Sequence, residues 1–213
     1  MKKIILTIFL IASTLLLTGC ITTSTIGTAI SVSNDRRTGG EVLDDKMLMF
    51  KLFNLSGNDK SLDDSHLNFM VYNQSVLVTG EVPNQNLSSL VIQKIQQQGH
   101  RIDQTFNELT IGPNSGLLNR AKDTAITLQI EVLFLDQEVF HPTHIRVTTE
   151  DQTVYLMGAV TQREADKAVN IIASAKGVKK VVKYFTYIKT RPAVEIEKDR
   201  QRELAAQKKS KSK

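Results

Sequence analysis

The sequence predicts an α+β protein built from two tandem units, each with the order helix, strand, strand, helix, strand. The main observation is a repeat: residues 73–82 (NQSVLVTGEV) return without a gap, 78 positions later, as residues 151–160 (DQTVYLMGAV). Each copy starts with two polar residues suited to a hairpin turn, and the alternation that follows has the period of a strand. A glycine, Gly80 or Gly158, follows near the end of each strand, before a segment whose apolar residues have helical spacing. A glycine at this position of a strand indicates a bulge or a close approach of two backbones. Two copies of one pattern predict two like domains.

The composition is that of an ordinary globular protein with a mildly basic charge. The 213 residues are 41% hydrophobic and 23% charged, and the formal net charge is +5. Residues 191–213 hold eight Lys or Arg and four Asp or Glu, so this tail alone accounts for +4. The two units are therefore nearly neutral, which gives little support to nucleic-acid binding. The single cysteine, Cys20, excludes a disulfide within the chain.

The first twenty residues predict export and lipidation. Residues 1–19 have the positive start, the apolar run and the small residues of a secretory signal peptide, and the run is too short to span a membrane. The ending Leu17-Thr18-Gly19-Cys20 resembles the bacterial lipobox. Processing at that motif attaches S-diacylglycerol and an N-acyl chain such as palmitate to the cysteine. The alternative is an ordinary signal peptide in which the cysteine is accidental.

The residues after the cysteine predict a tether at the outer membrane. In many such lipoproteins an Asp after the cysteine signals retention in the inner membrane, and this chain has Ile21 instead. That difference favours an anchor in the periplasmic face of the outer membrane. Residues 20–43 are rich in Ser, Thr and Gly and cannot bury a core, so they are expected to form a flexible tether behind the lipidated Cys20.

The first unit is predicted to cover residues 44–112. Leu48, Leu52 and Leu55 form an i, i+4, i+7 stripe of a helix that starts near Asp44, where a carboxylate suits the helix dipole. The other elements are strands at 67–72 and 75–82, a helix that opens at Pro83 and closes at Gly99, and a strand at 106–111. A linker at 113–118 follows, and its brevity predicts two domains in contact.

The second unit is predicted to cover residues 119–190 and to repeat the same order. Its elements are a helix capped by Asn119 and ending near 135, strands at 145–149 and 153–160, a helix that stops at Gly177, and a strand at 181–189. Thr161 and Glu164 form a capping box at the start of its second helix. Residues 191–213 form a charged, basic tail, in which residues 195–207 are a candidate helix. Its basic end, residues 208–213, is either simply solvated or weakly attracted to anionic lipid or another acidic partner.

Both units resemble BON domains, small αββαβ modules of bacterial envelope proteins. The resemblance is carried by Val76-x-Val78-x-Gly80-x-Val82 in the first copy and by Val154-x-Leu156-x-Gly158-x-Val160 in the second. Each motif is followed by a helix, by a glycine (Gly99 or Gly177) and by a last strand. The resemblance implies two helices packed on a small mixed three-stranded sheet in each unit, with structural roles for these four glycines.

With its lipobox and tether, the chain resembles outer-membrane lipoproteins that carry two BON domains. This resemblance implies a protein without catalytic activity that binds anionic phospholipids (phosphatidylglycerol and cardiolipin) through its second domain. It also implies a role in envelope integrity, recruitment to the division site, and outer-membrane assembly or division proteins as candidate partners. No cofactor and no nucleic acid are expected.

The helix predicted at 119–135 carries two apolar stripes, where a helix packed on a sheet needs one. The stripe expected in the core consists of Ile126, Ile130, Leu133 and Phe134. The second consists of Ala125, Leu128, Val132 and Leu135, beside Arg120 and Lys122. An apolar face beside cations suits a helix that lies in an anionic headgroup layer, so these last six residues are the candidate lipid-binding site. The alternative is that the second stripe packs on the first domain or broadens the core.

Other chemistry finds little support in the sequence. His141 and His144 could suggest a metal pair, but a proline between them opposes helical spacing and no further ligand stands near, so a surface loop is the better interpretation. His66, with two aspartates before it, lies in a polar loop without a nucleophile motif. We therefore expect neither an enzyme nor a metal site. A lipid-binding module and an adaptor that holds an envelope protein or a peptidoglycan-associated partner remain as alternatives.

Overall fold

The structure, a computed structural model, describes residues 34–99 and 101–211, without the side chains of 206 and 208–211. The predicted signal peptide, Cys20 and the tether up to residue 33 lie outside the described residues. From Arg36 onward the described chain belongs to one unit, which holds two domains.

The two domains have the predicted order of elements. The first domain consists of α1 (Gly39–Asn58), β1 (His66–Tyr72), β2 (Ser75–Val82), α2 (Gln85–Gln96) and β3 (Gln104–Ile111). The second consists of α3 (Leu117–Leu135), β4 (Ile145–Glu150), β5 (Thr153–Val160), α4 (Gln162–Ala173) and β6 (Lys180–Tyr187). A further helix, α5 (Ala193–Lys211), follows in the tail. The α+β class and the αββαβ order are confirmed.

Each domain holds a mixed three-stranded sheet. In the first, β2 lies between β1, which is antiparallel to it, and β3, which is parallel and is reached through α2. The second sheet repeats this pattern in the order β4-β5-β6. The hairpin turns have positive φ at both central residues, 46° and 62° at Asn73 and Gln74 and 42° and 61° at Asp151 and Gln152. Such values fit type I′ turns, so the repeated polar pairs are hairpin turns as predicted.

Gly80 and Gly158 lie where two backbones approach closely. A Cβ atom on Gly80 would stand 1.9 Å from the carbonyl oxygen of His66, and one on Gly158 would stand 2.2 Å from that of His144. Gly80 also has φ of +118°, a conformation that residues with a side chain rarely adopt. The close approach predicted from the repeated glycine is therefore present in both hairpins.

The first helix of each domain starts earlier than predicted. The helix α1 begins at Gly39 rather than near Asp44, because Thr38 and Glu41 form a capping box ahead of it. The last residues of the predicted tether are thus helical. The helix α3 begins at Leu117, and its N-cap is Gly116, which offers no side-chain hydrogen bond. Asn119 therefore lies inside the helix and is not its cap.

The second helix of each domain ends before the glycine predicted to close it. The helix α2 ends at Gln96 with Gln97 as C-cap, and α4 ends at Ala173 with Ser174 as C-cap. Both caps donate their N–H to a carbonyl within the last turn, which completes the helix without a glycine. Gly177 instead forms the turn into β6, with φ of +91°.

The helices and sheets of the two domains form four layers in the order helices, sheet, sheet, helices. Alternate residues of a strand point to opposite faces, so each sheet packs its own two helices on one face and the other domain on the second. The contact between the sheets is apolar at its centre and consists mainly of Met70, Tyr72, Leu77, Tyr155 and Met157. Because the helices occupy the outer layers, α1 and α3 lie on opposite sides of the two sheets.

Two consecutive arginines hold the domains together. Arg36, whose side chain is 4% exposed, donates hydrogen bonds to Glu164 at 2.8 and 2.9 Å and to the Ala159 carbonyl at 2.6 Å, both in the second domain. Arg37 pairs with Asp45 of the first domain at 2.6 Å. Successive residues thus bond to different domains, so the chain entering α1 is fixed to both.

Candidate functional site

The inner face of α3 is fixed by the core, as predicted. Ile126, Ile130 and Phe134 are 6%, 0% and 1% exposed and pack under the second sheet. The buried carboxylate of Asp123 accepts hydrogen bonds from the backbone N–H groups of Asp151 (3.1 Å) and Gln152 (2.8 Å). These contacts fix which side of α3 faces outward.

The opposite face of α3 is exposed and apolar. Leu128, Val132 and Leu135 are 56%, 63% and 72% exposed, and Ala125 is exposed as well. With about 100° of rotation per residue, these four positions stand on the side of the helix opposite its buried residues. More than half of each of the three large side chains is exposed, which argues against the alternative that the stripe is covered by the first domain or the core. Leu128 borders a shallow cavity that also touches His66 and Asn68 of that domain.

Two leucines extend this surface beyond the sequence prediction. Leu117 and Leu118, at the start of α3, are 82% and 80% exposed. They were missed because residues 113–118 were assigned to a linker, although an adjacent pair of leucines is unusual in one. The surface, named the outer stripe, consists of Leu117, Leu118, Ala125, Leu128, Val132 and Leu135. It runs the length of the helix, about 27 Å at about 1.5 Å per residue.

The two predicted cations occupy different surroundings. Lys122 is exposed on the flank of α3, one turn away from Leu118 and from Ala125 of the outer stripe. Arg120 is half-buried: its Nε donates to the Ser115 hydroxyl at 3.3 Å, and its side chain lines a shallow cavity of about 290 Å³ together with His66. Of the pair, the structure therefore brings Lys122 to the outer stripe and turns Arg120 toward the first domain.

The first helix of the first domain also carries an exposed apolar row. Leu43, Met47, Phe50 and Phe53 are 59%, 52%, 61% and 71% exposed. This row was not predicted, because the prediction for this helix rested on the buried stripe, of which Leu48 and Leu52 are 8% and 0% exposed. The row faces the other outer side of the four-layer structure, away from the outer stripe.

The pair His141 and His144 does not form a simple surface loop, so that interpretation is wrong for His144. His144 is 2% exposed; its Nδ1 accepts from the His141 N–H at 3.3 Å, and its Nε2 lies 3.6 Å from Glu195. His144, Glu164 and Glu195 stand close enough to hold a cation. The guanidinium of Arg36 already bonds both carboxylates.

The ionisation of this cluster follows from its contacts. Burial raises the pKa of Glu164, but hydrogen bonds from Arg36 and from the Thr161 backbone outweigh it and hold this pKa below its ordinary value. Burial likewise lowers the pKa of Arg36, and its bonds to Glu195 and Glu164 reverse that effect and raise the pKa. The cluster is therefore a charged ion-pair network that joins the segment before α1, the second domain and α5.

His66 belongs to the interface between the domains rather than to a polar loop. It is the first residue of β1, and its Nδ1 lies 3.0 Å from Glu81 and 3.7 Å from Glu150 of the second domain. The side chain of Asn68 donates to Glu150 at 2.7 Å. Burial raises the pKa of Glu150, partly offset by that hydrogen bond and by His66. These polar contacts tie β1 to the end of β4.

None of the helices in residues 34–99 and 101–211 combines the length and the apolar character that crossing a membrane requires.

Comparison with known proteins finds a family match within the second domain and relatives that align with most of the chain. The BON domain family model matches residues 122–189. The outer membrane lipoprotein DolP of Haemophilus influenzae is 33% identical over 183 residues, which cover 84% of this chain and 94% of that protein. A 21 kDa hemolysin of Actinobacillus pleuropneumoniae is 27% identical over 72% of this chain and 79% of its own length.

Among solved structures, the chain is similar to CdsD, a structural protein of the type III secretion system of Chlamydia trachomatis. The identity is 12%, the coverage is 74% of this chain and 68% of that one, and the TM-score is 0.27. A similarity of this size informs neither the fold nor the function.

Proposed function

This chain belongs to the DolP family of BON-domain outer-membrane lipoproteins, and from that premise we propose that it binds anionic phospholipid through the outer stripe of α3. The observation that carries the proposal is the exposure of Leu128, Val132 and Leu135, which are 56%, 63% and 72% exposed on a helix whose other face is buried. The lipid anchor holds the protein at the outer membrane, and the stripe supplies a second, reversible contact.

The energetics favour such a contact. Each Leu or Val side chain that enters the acyl boundary contributes up to about 1.5–3 kcal/mol. A lysine near an anionic surface, such as Lys122, adds about 1 kcal/mol. Contributions of this size give reversible binding, which is sufficient because the anchor keeps the local concentration of the helix at the membrane high.

One feature favours α3 over α1 as the membrane-binding helix. The outer stripe extends from Leu117 to Leu135, whereas the exposed row of α1, from Leu43 to Phe53, ends after about three turns. The longer apolar face can enter the acyl boundary with more side chains.

The test is flotation of unlipidated protein, residues 21–213, with vesicles. We expect binding to vesicles of phosphatidylglycerol or cardiolipin and none to phosphatidylcholine alone. Replacing Leu128→Asp and Val132→Asp should reduce the bound fraction at least tenfold, because carboxylates do not enter the acyl boundary of an anionic layer. The matched control is the α1 pair Met47→Asp and Phe50→Asp, which should leave binding within twofold.

Equal binding by the folded α3 variant and the unchanged protein would contradict the proposal, and circular dichroism checks the fold of each. A complete absence of binding to any vesicle would favour the alternative, an adaptor that holds an envelope protein or a peptidoglycan-associated partner. The observation that favours the adaptor is the second exposed row, Leu43 to Phe53, on the side of the molecule away from α3.

The proposal extends to support of envelope integrity and to recruitment to the division site, without a catalytic step. If both depend on lipid binding, cells that carry the α3 variant should become permeable to large antibiotics. The same cells should lose septal fluorescence of a tagged protein. Normal permeability and septal signal, with the variant present at normal amounts, would separate these roles from the outer stripe.

A further inference from the structure

A groove runs along one edge of the two packed sheets. Its cavity of about 580 Å³ is walled by α1 and α3 and floored by parts of β1 and β4. The floor contains consecutive residues, 69–71 of β1 and 145–148 of β4. Neighbouring residues of a strand point to opposite faces of its sheet, so a cavity that touches all of them follows the edge of the strand.

Both strands leave this edge unpaired within the described part of the chain. β1 pairs with β2 alone, and β4 pairs with β5 alone. On the free edge of each of these strands, the backbone N–H and C=O groups therefore form no strand-to-strand hydrogen bonds with described residues. Unpaired edges of this kind accept an additional strand from another chain.

The charges around the groove favour an acidic occupant. Arg37 and Asp45 neutralise each other at 2.6 Å. Lys46 and Arg146 also line the groove, and neither forms an ion pair with a described residue. Glu131 supplies the opposing charge, so the lining keeps one positive charge in excess. The rest of the lining is largely apolar, with Val42, Met49, Phe69 and Leu135 among its residues.

We propose that this groove binds an extended peptide segment of a partner protein, with an acidic side chain between Lys46 and Arg146, as an added strand on β4. Within the groove β4 is the more accessible edge. Of its four residues, Arg146 is exposed, Val147 and Thr148 are half-buried and Ile145 is buried, whereas two of the three residues of β1, Met70 and Val71, are buried. Four residues of β4 pair with a segment of about four residues, roughly 13 Å long at about 3.3 Å each. A lipid acyl chain would leave the polar groups of the strand edge unbonded.

This site is separate from the proposed lipid contact. Leu128 and Val132 do not line the groove, and of the outer stripe it includes Leu135. The two proposals can therefore fail independently, provided that the tests leave Leu135 unchanged.

The experiment uses the full lipidated protein in nanodiscs of phosphatidylcholine. The probe is a fluorescein-labelled heptapeptide of alternating Val and Glu, and its counterpart has Lys in place of Glu. Fluorescence anisotropy should show saturable binding of the acidic peptide at least tenfold tighter than that of the basic one. Lys46→Glu with Arg146→Glu should weaken binding of the acidic peptide at least tenfold, and Lys176→Glu, an exposed lysine away from the groove, should not change it.

Hydrogen exchange supplies the second measurement, since strand addition protects backbone amides. The acidic peptide should slow exchange in residues 145–148, also in the Leu128→Asp and Val132→Asp variant. Equal affinity for both peptides, or binding that survives the double charge reversal, would overturn the proposal. The proposal would also be overturned if dodecyl phosphate protected these amides and the peptide did not. That result would assign the groove to an anionic amphiphile.

Discussion

The helices α1 and α3 are alike on the side that faces the sheet and different on the side that faces outward. On the inner side, Asp45 and Asp123, which are 78 positions apart, each accept two hydrogen bonds from the N–H groups of the hairpin turn in their own domain. Leu48 and Leu52 of α1 enter the core of the first domain, and isoleucines together with Phe134 of α3 enter that of the second. The hairpin and the helix that crosses it thus form one connected unit in both copies.

On the outer side the two helices differ in length and chemistry. The exposed row of α1 is short and bulky, with a methionine and two phenylalanines, whereas the outer stripe of α3 is long and aliphatic. Aromatic residues and methionine are enriched in protein interfaces, and a long aliphatic face suits an acyl layer. The fold constrains the residues on the inner face of each helix and not those on the outer face. The repeated sequence therefore identifies the fold of each copy, and the function of each copy depends on its outer face.

The largest effect that separates the two copies is expected at their hairpin glycines. Gly80→Ala places a Cβ atom 1.9 Å from a backbone oxygen at φ of +118°, whereas Gly158→Ala meets the oxygen at 2.2 Å without a positive φ. Both should destabilise strongly, with a loss of about 4 kcal/mol or more for Gly80→Ala and less for Gly158→Ala.

Urea unfolding followed by circular dichroism measures the two losses. If a variant is already unfolded in buffer, thermal unfolding in stabilising sulfate still ranks the pair. A Gly158→Ala loss that exceeds the Gly80→Ala loss would show that the positive φ adds no strain to the contact.

The second comparison concerns the adjacent arginines that bond to different domains. Arg36→Met leaves the buried Glu164 without its main cation, and removing one partner of a buried pair costs about 3–5 kcal/mol. Arg37→Met should cost less, because Arg36→Met removes the guanidinium from two carboxylates, Glu164 and Glu195, and from the Ala159 carbonyl, whereas the one carboxylate paired with Arg37, Asp45, keeps its two backbone hydrogen bonds. Urea unfolding at pH 7 gives both values, and a larger loss for Arg37→Met would contradict the assignment of Arg36 as the main clamp.

The loss of unfolding free energy caused by Arg36→Met should depend on pH, because the pKa values of Glu164 and Glu195 are lowered in the folded protein. A carboxyl whose pKa is lower in the folded protein contributes stability above its unfolded value, about 4.3, and loses it as pH falls through the folded value. The difference between Arg36→Met and the unchanged protein should therefore be largest near pH 7 and shrink below about pH 4. A difference that grows on acidification would exclude the ion pair as its cause.

The secondary-structure elements that repeat could be predicted from the sequence. Contacts between distant parts of the chain could not be predicted. Period-two alternation and turn pairs placed β2 and β5 at their observed bounds, and the buried stripe of α3 was identified residue by residue. The exposure of Leu128 could not be decided, because helical spacing does not show which neighbouring domain covers a face. Arg36 and His144 were missed for the same reason, since their partners lie far away in sequence. Thr38 and Glu41 could have been recognised as a capping box.

The smallest expected effects lie at the starts of the same two helices. The helix α1 begins with a capping box, whereas α3 begins after Gly116 with no side-chain hydrogen bond. Thr38→Ala should therefore destabilise by about 1 kcal/mol. Gly116→Ser should stabilise by a few tenths of a kcal/mol, because a Cβ at this position meets no atom within 4 Å and the backbone is extended.

Differential scanning calorimetry resolves both changes, and Thr190→Ala, an exposed position outside helices and strands, is the control. A stabilised α3 also tests whether fraying at Leu117 and Leu118 matters for the lipid contact, since these leucines form the first turn. Anionic vesicle binding by Gly116→Ser should equal or exceed that of the unchanged protein. Weaker binding would mean that the start of α3 must unwind at the membrane, and the outer stripe would then begin at Ala125 rather than at Leu117.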